Sequence, residues 1–247
     1  MQQLFVKQSL ADQQQLTLQD ETYQHLIKVL HMRVNDHFQI VDANQMTFIA
    51  QIMQINSTSF TAQLTEQVSL STELPVKVSI ACALSKKDKI EMIAQKATEL
   101  GVSELIFFES RYSIMKWKKE QQVKKVARLQ QIVTAAAQQS KRLYVPKVKY
   151  YNNFADLLNY EADYRLVAYE ESAKNGESAQ LKQVFRKIQH QQSILCLFGP
   201  EGGFHVEEIA QLVQNSYIKC ALGPRILRAE TAPLYFLSAL SYQIELN

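Results

Sequence analysis

From Val76 to the end, short apolar runs alternate with amphipathic helical stretches, and this alternation constrains the chain most. "VKVSIACAL", "SELIFF", "YRLVAYEE", "SILCLF" and "YIKCAL" have strand length and strand composition. Helical patterns fill the intervals: "DKIEMIAQKATELG", a long stretch over about 118–139, "AQLKQVFRKI" and "PLYFLSALSYQI". In the first of these, Ile90, Ile93, Ala94 and Ala97 share one face, and Gly101 stands where the helix stops. In the second, Val123, Val126, Leu129, Val133 and Ala136 are expected on the buried side. Residues 75–247 therefore read as an α/β domain with a mostly parallel sheet.

The first 72 residues follow another rhythm. "HFQIVDA", "MTFIAQIMQI" and "SFTAQLTEQV" alternate at a period near two and predict a small antiparallel β-domain. One helical piece interrupts it, "DETYQHLIKVLHM", with Tyr23, Leu26, Ile27 and Leu30 at helical spacing. Pro75 marks the expected boundary. No apolar run approaches the roughly 18–20 residues of a membrane span. The N-terminus has no basic start followed by an apolar stretch, so the expected location is the cytosol.

Six glycines occur in the chain, and three of them fall in "FGPEGGF" at 198–204. This loop follows an expected strand, where open α/β sheets collect ligands. Gly199, Gly202 and Gly203 permit close backbone approach, and Pro200 stiffens the turn. The next helix is expected to begin near His205, with Glu207 and Glu208 in its first turn. A phosphate-binding loop would need Lys and Ser or Thr after the last glycine; neither is present, and Glu201 would repel a phosphate. The loop suits an uncharged or cationic ligand, or is only a tight turn. "ALGPRILRAETAP" (221–233) repeats the glycine–proline arrangement after another strand. It presents Arg225, Arg228, Glu230 and Thr231, with Thr231 or Ala232 as the cap of the last helix and Pro233 in its first turn. The arginines either serve a ligand or brace the loops by pairing with Glu201 or Glu230.

Charge is uneven. Residues 111–149 hold eleven Lys or Arg and one acid, a net of +10; the remainder holds sixteen basic and twenty-three acidic residues, a net of −7. Such a block is a polyanion-facing surface or a solvated helix face. Trp117 within it could stack on a base or anchor the segment. Cys82, Cys196 and Cys220 lie in apolar runs and read as core residues rather than as disulfides, zinc ligands or nucleophiles. His25, His31 and His37 are spaced by six, which suits no metal-binding helix face, so no metal is expected.

"GPEGGF", "LGPRILRAETA", "KIEMIAQKATELGV" and "AAAQQSKR" together resemble the RsmE family of ribosomal RNA methyltransferases, of the SPOUT class. The resemblance covers nearly all of residues 20–245. It implies a trefoil-knotted methyltransferase domain over 75–247, a PUA-like RNA-binding β-barrel over 1–72, and a homodimer. It also implies S-adenosylmethionine as cofactor and methylation of uridine N3 in 16S rRNA, as free RNA or in the assembled small subunit. By resemblance, the cofactor lies among Tyr169 and Glu170; Leu197, Phe198, Gly199, Pro200, Glu201, Gly202 and Gly203; and Leu222, Gly223, Arg225, Ile226, Leu227, Thr231 and Ala232. The chain departs from the family at "VLHMRVND" (29–36), where His31 replaces an arginine and Asn35 a glycine. Asn tolerates left-handed geometry, so the turn is expected to survive.

Transfer to uracil N3 needs alignment with the methyl donor and stabilisation of the uracil anion. Arg228 or Arg225 is the candidate for the uracil oxygens or the adjacent phosphate, and Glu230 for accepting a proton or orienting an arginine. RNA contacts are expected from Arg33, Arg111, Lys116, Lys118, Lys119, Lys124, Lys125, Arg128, Gln139, Ser140 and Arg142. The competing functions are methylation of a ribose 2′-OH and RNA binding without catalysis.

Overall fold

In a computed structural model, residues 1–69, 72–152, 154–171 and 179–246 are described. They form two compact units, Met1–Thr72 with Ala137–Tyr144, and Glu73–Ala136 with Val145–Asn247.

The first unit holds a five-stranded sheet of β1 (Gln3–Phe5), β2 (Gln15–Gln19), β3 (His37–Val41), β4 (Thr47–Ile55) and β5 (Ser59–Val68), in the order β1-β3-β4-β5-β2. Three of these match the alternating runs. The pairings are antiparallel except β1 with β3, which run parallel. The expectation of a purely antiparallel sheet is corrected there, because three residues are too few to show a period. Leu4, Leu16, Phe38, Ile40, Ile52 and Phe60 form its core, and Phe38 meets Phe60 edge to face at 6.0 Å. The helical piece is a turn of α-helix, α1 (Asp20–Tyr23), continued by a π-helical turn (Gln24–Val29) that buries Tyr23 and Leu26. Asn35 has φ 75°, so the left-handed turn survives without glycine. His31, at φ 54°, shares that geometry.

The second unit holds six strands: β6 (Lys77–Ala83), β7 (Glu104–Phe108), β8 (Lys147–Tyr151), β9 (Tyr164–Ala168), β10 (Ser193–Phe198) and β11 (Ile218–Cys220). Their order is β11-β9-β10-β6-β7-β8, and every pairing is parallel. Both faces are covered, which explains strands that are apolar at nearly every position. Ile80, Cys82, Leu105, Phe107, Ile194 and Cys196 face one apolar core. Ala81, Ala83, Ile106, Phe108, Leu195 and Leu197 face the other, the period-two alternation of a strand.

The first core is closed by α2 (Lys87–Glu99), α3 (Lys119–Gln139), α5 (Ala179–Lys187) and α7 (Thr231–Ser241). The second is closed by α4 (Ala155–Leu158) and α6 (Val206–Gln214). Gly101 follows the last turn of α2 with φ 90°. In α3, Leu129, Val133 and Ala136 are buried, but Val123 is 81% exposed. At 3.6 residues per turn Val123 lies about 110° around the helix from those three, so the expectation that it faces the core is corrected. Glu230, not Thr231 or Ala232, holds the N-cap position of α7, without a side-chain capping bond; Pro233 lies in the first turn. Burial drives the Cys82 and Cys196 thiols well above the ordinary range, keeping them protonated and unfit as nucleophiles.

Candidate functional site

β6 has β7 on one side and β10 on the other, so the C-terminal ends of β6 and β10 form a topological switch point. The loop after β10 starts there. Gly199 is tightly packed: a Cβ would stand 3.2 Å from the Gly203 carbonyl carbon and 3.2 Å from the Phe204 ring. Gly203 closes the turn, its N–H donating to the Pro200 carbonyl at 2.9 Å with φ 71°. Leu197 and Phe198 point into the two cores, so this pair offers a ligand only backbone groups.

The loop after β11 turns at Gly223, φ 96°. Arg225 and Ile226 are exposed, Leu227 is half-buried, and Arg228 is exposed. The Arg228 carbonyl accepts the N–H groups of Thr231 and Ala232 at 2.9 and 3.0 Å. The Tyr169 N–H donates to the Cys220 carbonyl at 3.0 Å, which brings the start of the loop after β9 beside the loop after β11. Glu170 follows, exposed.

Among the described residues, neither arginine side chain braces these loops through an ion pair. Lys89, in the first turn of α2, does so instead. Its ammonium donates to Glu201 Oε1 at 3.0 Å and stands 3.1 Å from Glu230 Oε2, a charge contact outside hydrogen-bond alignment. The hydrogen bond to Glu201 and the contact with Glu230 raise the Lys89 ammonium above the usual lysine range. Burial opposes the charge of Glu230, but its backbone N–H, Lys89 and Arg228 together hold its carboxyl below the usual range. Among the described residues, the Arg225 and Arg228 guanidinium groups make no ion pair.

A second tie reaches the loop after β7. His205 caps α6 in a reciprocal capping box with Glu208. The buried Glu208 carboxylate also accepts the Ser110 hydroxyl at 3.1 Å and the Arg111 N–H at 2.9 Å. The Arg111 guanidinium pairs with Glu207 at 2.6 Å and touches His205 Nδ1 at 2.8 Å. A Cβ on Gly202 would meet the Tyr112 Cβ at 3.3 Å, so a side chain there would require Tyr112 to shift by a few tenths of an ångström.

The basic segment divides by environment. Lys116, Lys118, Lys119 and Lys124 are exposed. Lys125 lies over the Trp117 ring at 5.2 Å, and Arg128 pairs with Glu91 at 2.8 Å. Trp117 is buried and stacked on Tyr150 at 4.8 Å, an anchor rather than an exposed platform. Gln139 is exposed and Ser140 half-buried. Arg142 is 1% exposed, with its guanidinium 4.9 Å over Tyr144 and its carbonyl accepting from Gln3 Nε2 at 2.7 Å. That burial sets it apart from the exposed cations. Arg33 is exposed in the first unit, its N–H donating to Asp36 at 2.7 Å. Local sequence patterns single out neither Lys89 nor Ser110 or Tyr112, since their partners lie about a hundred residues away. The helix-start pattern marks Glu208 but not its bonds to the loop after β7.

Comparison with known proteins bears on this site. The RNA methyltransferase domain family matches residues 72–241. The chain is 38% identical to the ribosomal RNA small subunit methyltransferase E of Bacillus subtilis, covering 100% of this chain and 98% of that one. It is 30% identical to the protein of the same name from Mesomycoplasma hyopneumoniae, covering 86% and 88%. A crystal structure of a ribosomal RNA small subunit methyltransferase E from Neisseria gonorrhoeae, bound to S-adenosyl methionine, superposes with a TM-score of 0.85 at 25% identity. That match covers 98% of this chain and 97% of the other.

Proposed function

The chain belongs to the ribosomal RNA small subunit methyltransferase E family, and from that premise we propose that it methylates uridine N3 in 16S rRNA using S-adenosylmethionine. The observation that carries the proposal is the pair of glycine loops at the ends of β10 and β11, with Glu201 in the first and Glu230 at the end of the second, both reached by Lys89. Backbone approach at Gly199, Gly203 and Gly223 fits a ligand held by main-chain groups. Two carboxylates around one lysine fit a cationic ligand and disfavour a phosphate. S-adenosylmethionine has no phosphate and, when bound, supplies a methyl group on a cationic sulfonium.

The protein's own groups then have assignable work. Tyr169, Glu170, Gly199–Gly203, Leu222–Leu227, Thr231 and Ala232 form the cofactor walls, with Leu197 and Phe198 behind them. Arg228, with Arg225, stabilises the uracil as its N3 proton is lost, an electrostatic contribution of the oxyanion type. Among the described residues neither guanidinium makes an ion pair, which leaves both ready for the base or its phosphate. Glu230, held as a carboxylate below the usual range, is a weak base; its surroundings favour a holding role over proton removal. Lys116, Lys118, Lys119 and Lys124 bind the RNA backbone, joined by Arg33, Arg111, Lys125, Arg128, Gln139 and Ser140. The target base leaves its stack to reach the site.

The first unit is, on this proposal, a PUA-like RNA-binding domain over 1–72, and residues 75–247 a knotted SPOUT domain that works as a homodimer in the cytoplasm. No described helix is long and apolar enough to cross a membrane. Calorimetry with S-adenosylmethionine, followed by turnover of Arg228→Ala on small-subunit RNA, tests the proposal. Saturable binding and a loss of turnover with binding retained support it. No cofactor binding by the wild-type protein, or normal turnover of the variant, contradicts it.

A further inference from the structure

Among the described residues, Lys89 is the one cation in contact with both Glu201 and Glu230. These carboxylates belong to different loops, after β10 and before α7, and neither loop carries a basic side chain paired to the other among the described residues. The three side chains are partly shielded from solvent: 19% exposed for Lys89, 33% for Glu201 and 14% for Glu230. Two carboxylates this close repel each other in a partly buried site, and an ammonium between them turns repulsion into attraction. Lys89 comes from α2, whose Ile90, Ile93, Ala94 and Ala97 are packed into the core. The bridge is therefore anchored to a rigid element, as a precise site requires.

We infer that Lys89 is a positioning residue that locks the loops 199–203 and 222–231 into one cofactor-competent arrangement. It acts through Glu201 and Glu230, not on the substrate. The inference rests on the proposed methyltransferase site for its consequence, although the bridge itself does not. Without Lys89, the two carboxylates push the loops apart. Removing one carboxylate as well relieves that repulsion, so Lys89→Met and Glu201→Gln together are less damaging than Lys89→Met alone. A generic packing defect at Lys89 would not be repaired by a second change.

The experiment has two arms. In the first, hydrogen exchange is followed in wild type, Lys89→Met, Lys89→Arg and Lys89→Met/Glu201→Gln without cofactor. Exchange in both loops is expected to rise together, about tenfold or more, in Lys89→Met and to fall back in Lys89→Arg and in the double variant. In the second arm, calorimetry measures S-adenosylmethionine binding by the same proteins. The affinity is expected to fall at least tenfold in Lys89→Met and to recover in Lys89→Arg. Unchanged exchange in both loops, a rise in one loop alone, or no return of exchange toward wild type in the double variant overturns the inference. Should Lys89→Met not fold, the polar but uncharged Lys89→Gln takes its place, alone and with Glu201→Gln, with the same expected readings. Wild-type protein that binds no S-adenosylmethionine contradicts the methyltransferase proposal, while the exchange arm still decides the role of Lys89.

Discussion

Glu208 Oε1 accepts the backbone N–H of Arg111 at 2.9 Å, across 97 residues of sequence. The same carboxylate takes the His205 N–H at 2.9 Å and the Ser110 hydroxyl at 3.1 Å through Oε2. One buried side chain thus joins the loop after β7 to the start of α6, the helix that follows the Gly199–Gly203 turn. Glu208→Ala leaves three donors unpaired and is expected to lower stability by roughly 2–4 kcal/mol. Glu208→Gln retains an acceptor oxygen and is expected to cost less. Urea unfolding of the two variants checks the order, and equal losses would contradict it.

Gly203 and Gly199 need glycine for different reasons. At Gly203 a Cβ meets nothing within 4 Å, so the constraint is its φ of 71°. Gly203→Ala is expected to cost about 1–2 kcal/mol, and Gly203→Asn less, because Asn tolerates the left-handed region. At Gly199 the added Cβ crowds Gly203 and the Phe204 ring, so Gly199→Asn brings no relief relative to Gly199→Ala. Thermal melting of the four variants separates backbone strain from crowding.

Exposed lysines should govern the salt dependence of RNA binding, and buried Arg142 should not. Replacing Lys118, Lys119 and Lys124 by Ala removes up to three phosphate contacts. The slope of log affinity against log salt is expected to flatten by about 2. Arg142→Ala is expected to destabilise the first unit instead, leaving the slope of the folded fraction unchanged. Filter binding over a salt series, with melting curves beside it, distinguishes the two.

Glu230 gives a pH signature. Its folded pKa lies below the unfolded value, so its ionised form adds stability above the unfolded pKa, and this is lost as pH falls through the folded one. The difference in melting temperature between wild type and Glu230→Gln is expected to be full near pH 6–7 and to close between about pH 5 and 3. A difference that persists unchanged into the acid range would contradict the ion pairing of Glu230 with Lys89.

Strands β6, β7, β9, β10 and β11 and both glycine loops were legible because their signals are local: a period, a composition, a glycine beside a proline; β8 (KVKYY), with lysines at alternate positions, was not. β1 carries only three residues, too few for any period to emerge. The attachment of 137–144 to the first unit has no local mark either. Glu201 illustrates the limit best. Its acidity was enough to argue against phosphate, but its partner lies 112 residues earlier in a helix whose pattern announces only a buried face. Arg142 makes the complementary point: in sequence it belongs to a basic block, and only the fold removes it from solvent. Val123 fits an apolar spacing residue by residue, yet drifts off the buried stripe when the whole helix is wound.

The most direct measurement is methyl transfer in vitro. Small-subunit RNA, free and assembled, is taken from a strain lacking this protein, incubated with the purified chain and S-adenosylmethionine, digested to nucleosides and analysed by mass spectrometry. One new methyl group on uracil N3 is the predicted result. Methyl on a ribose 2′-oxygen, or none in either substrate, would contradict the account.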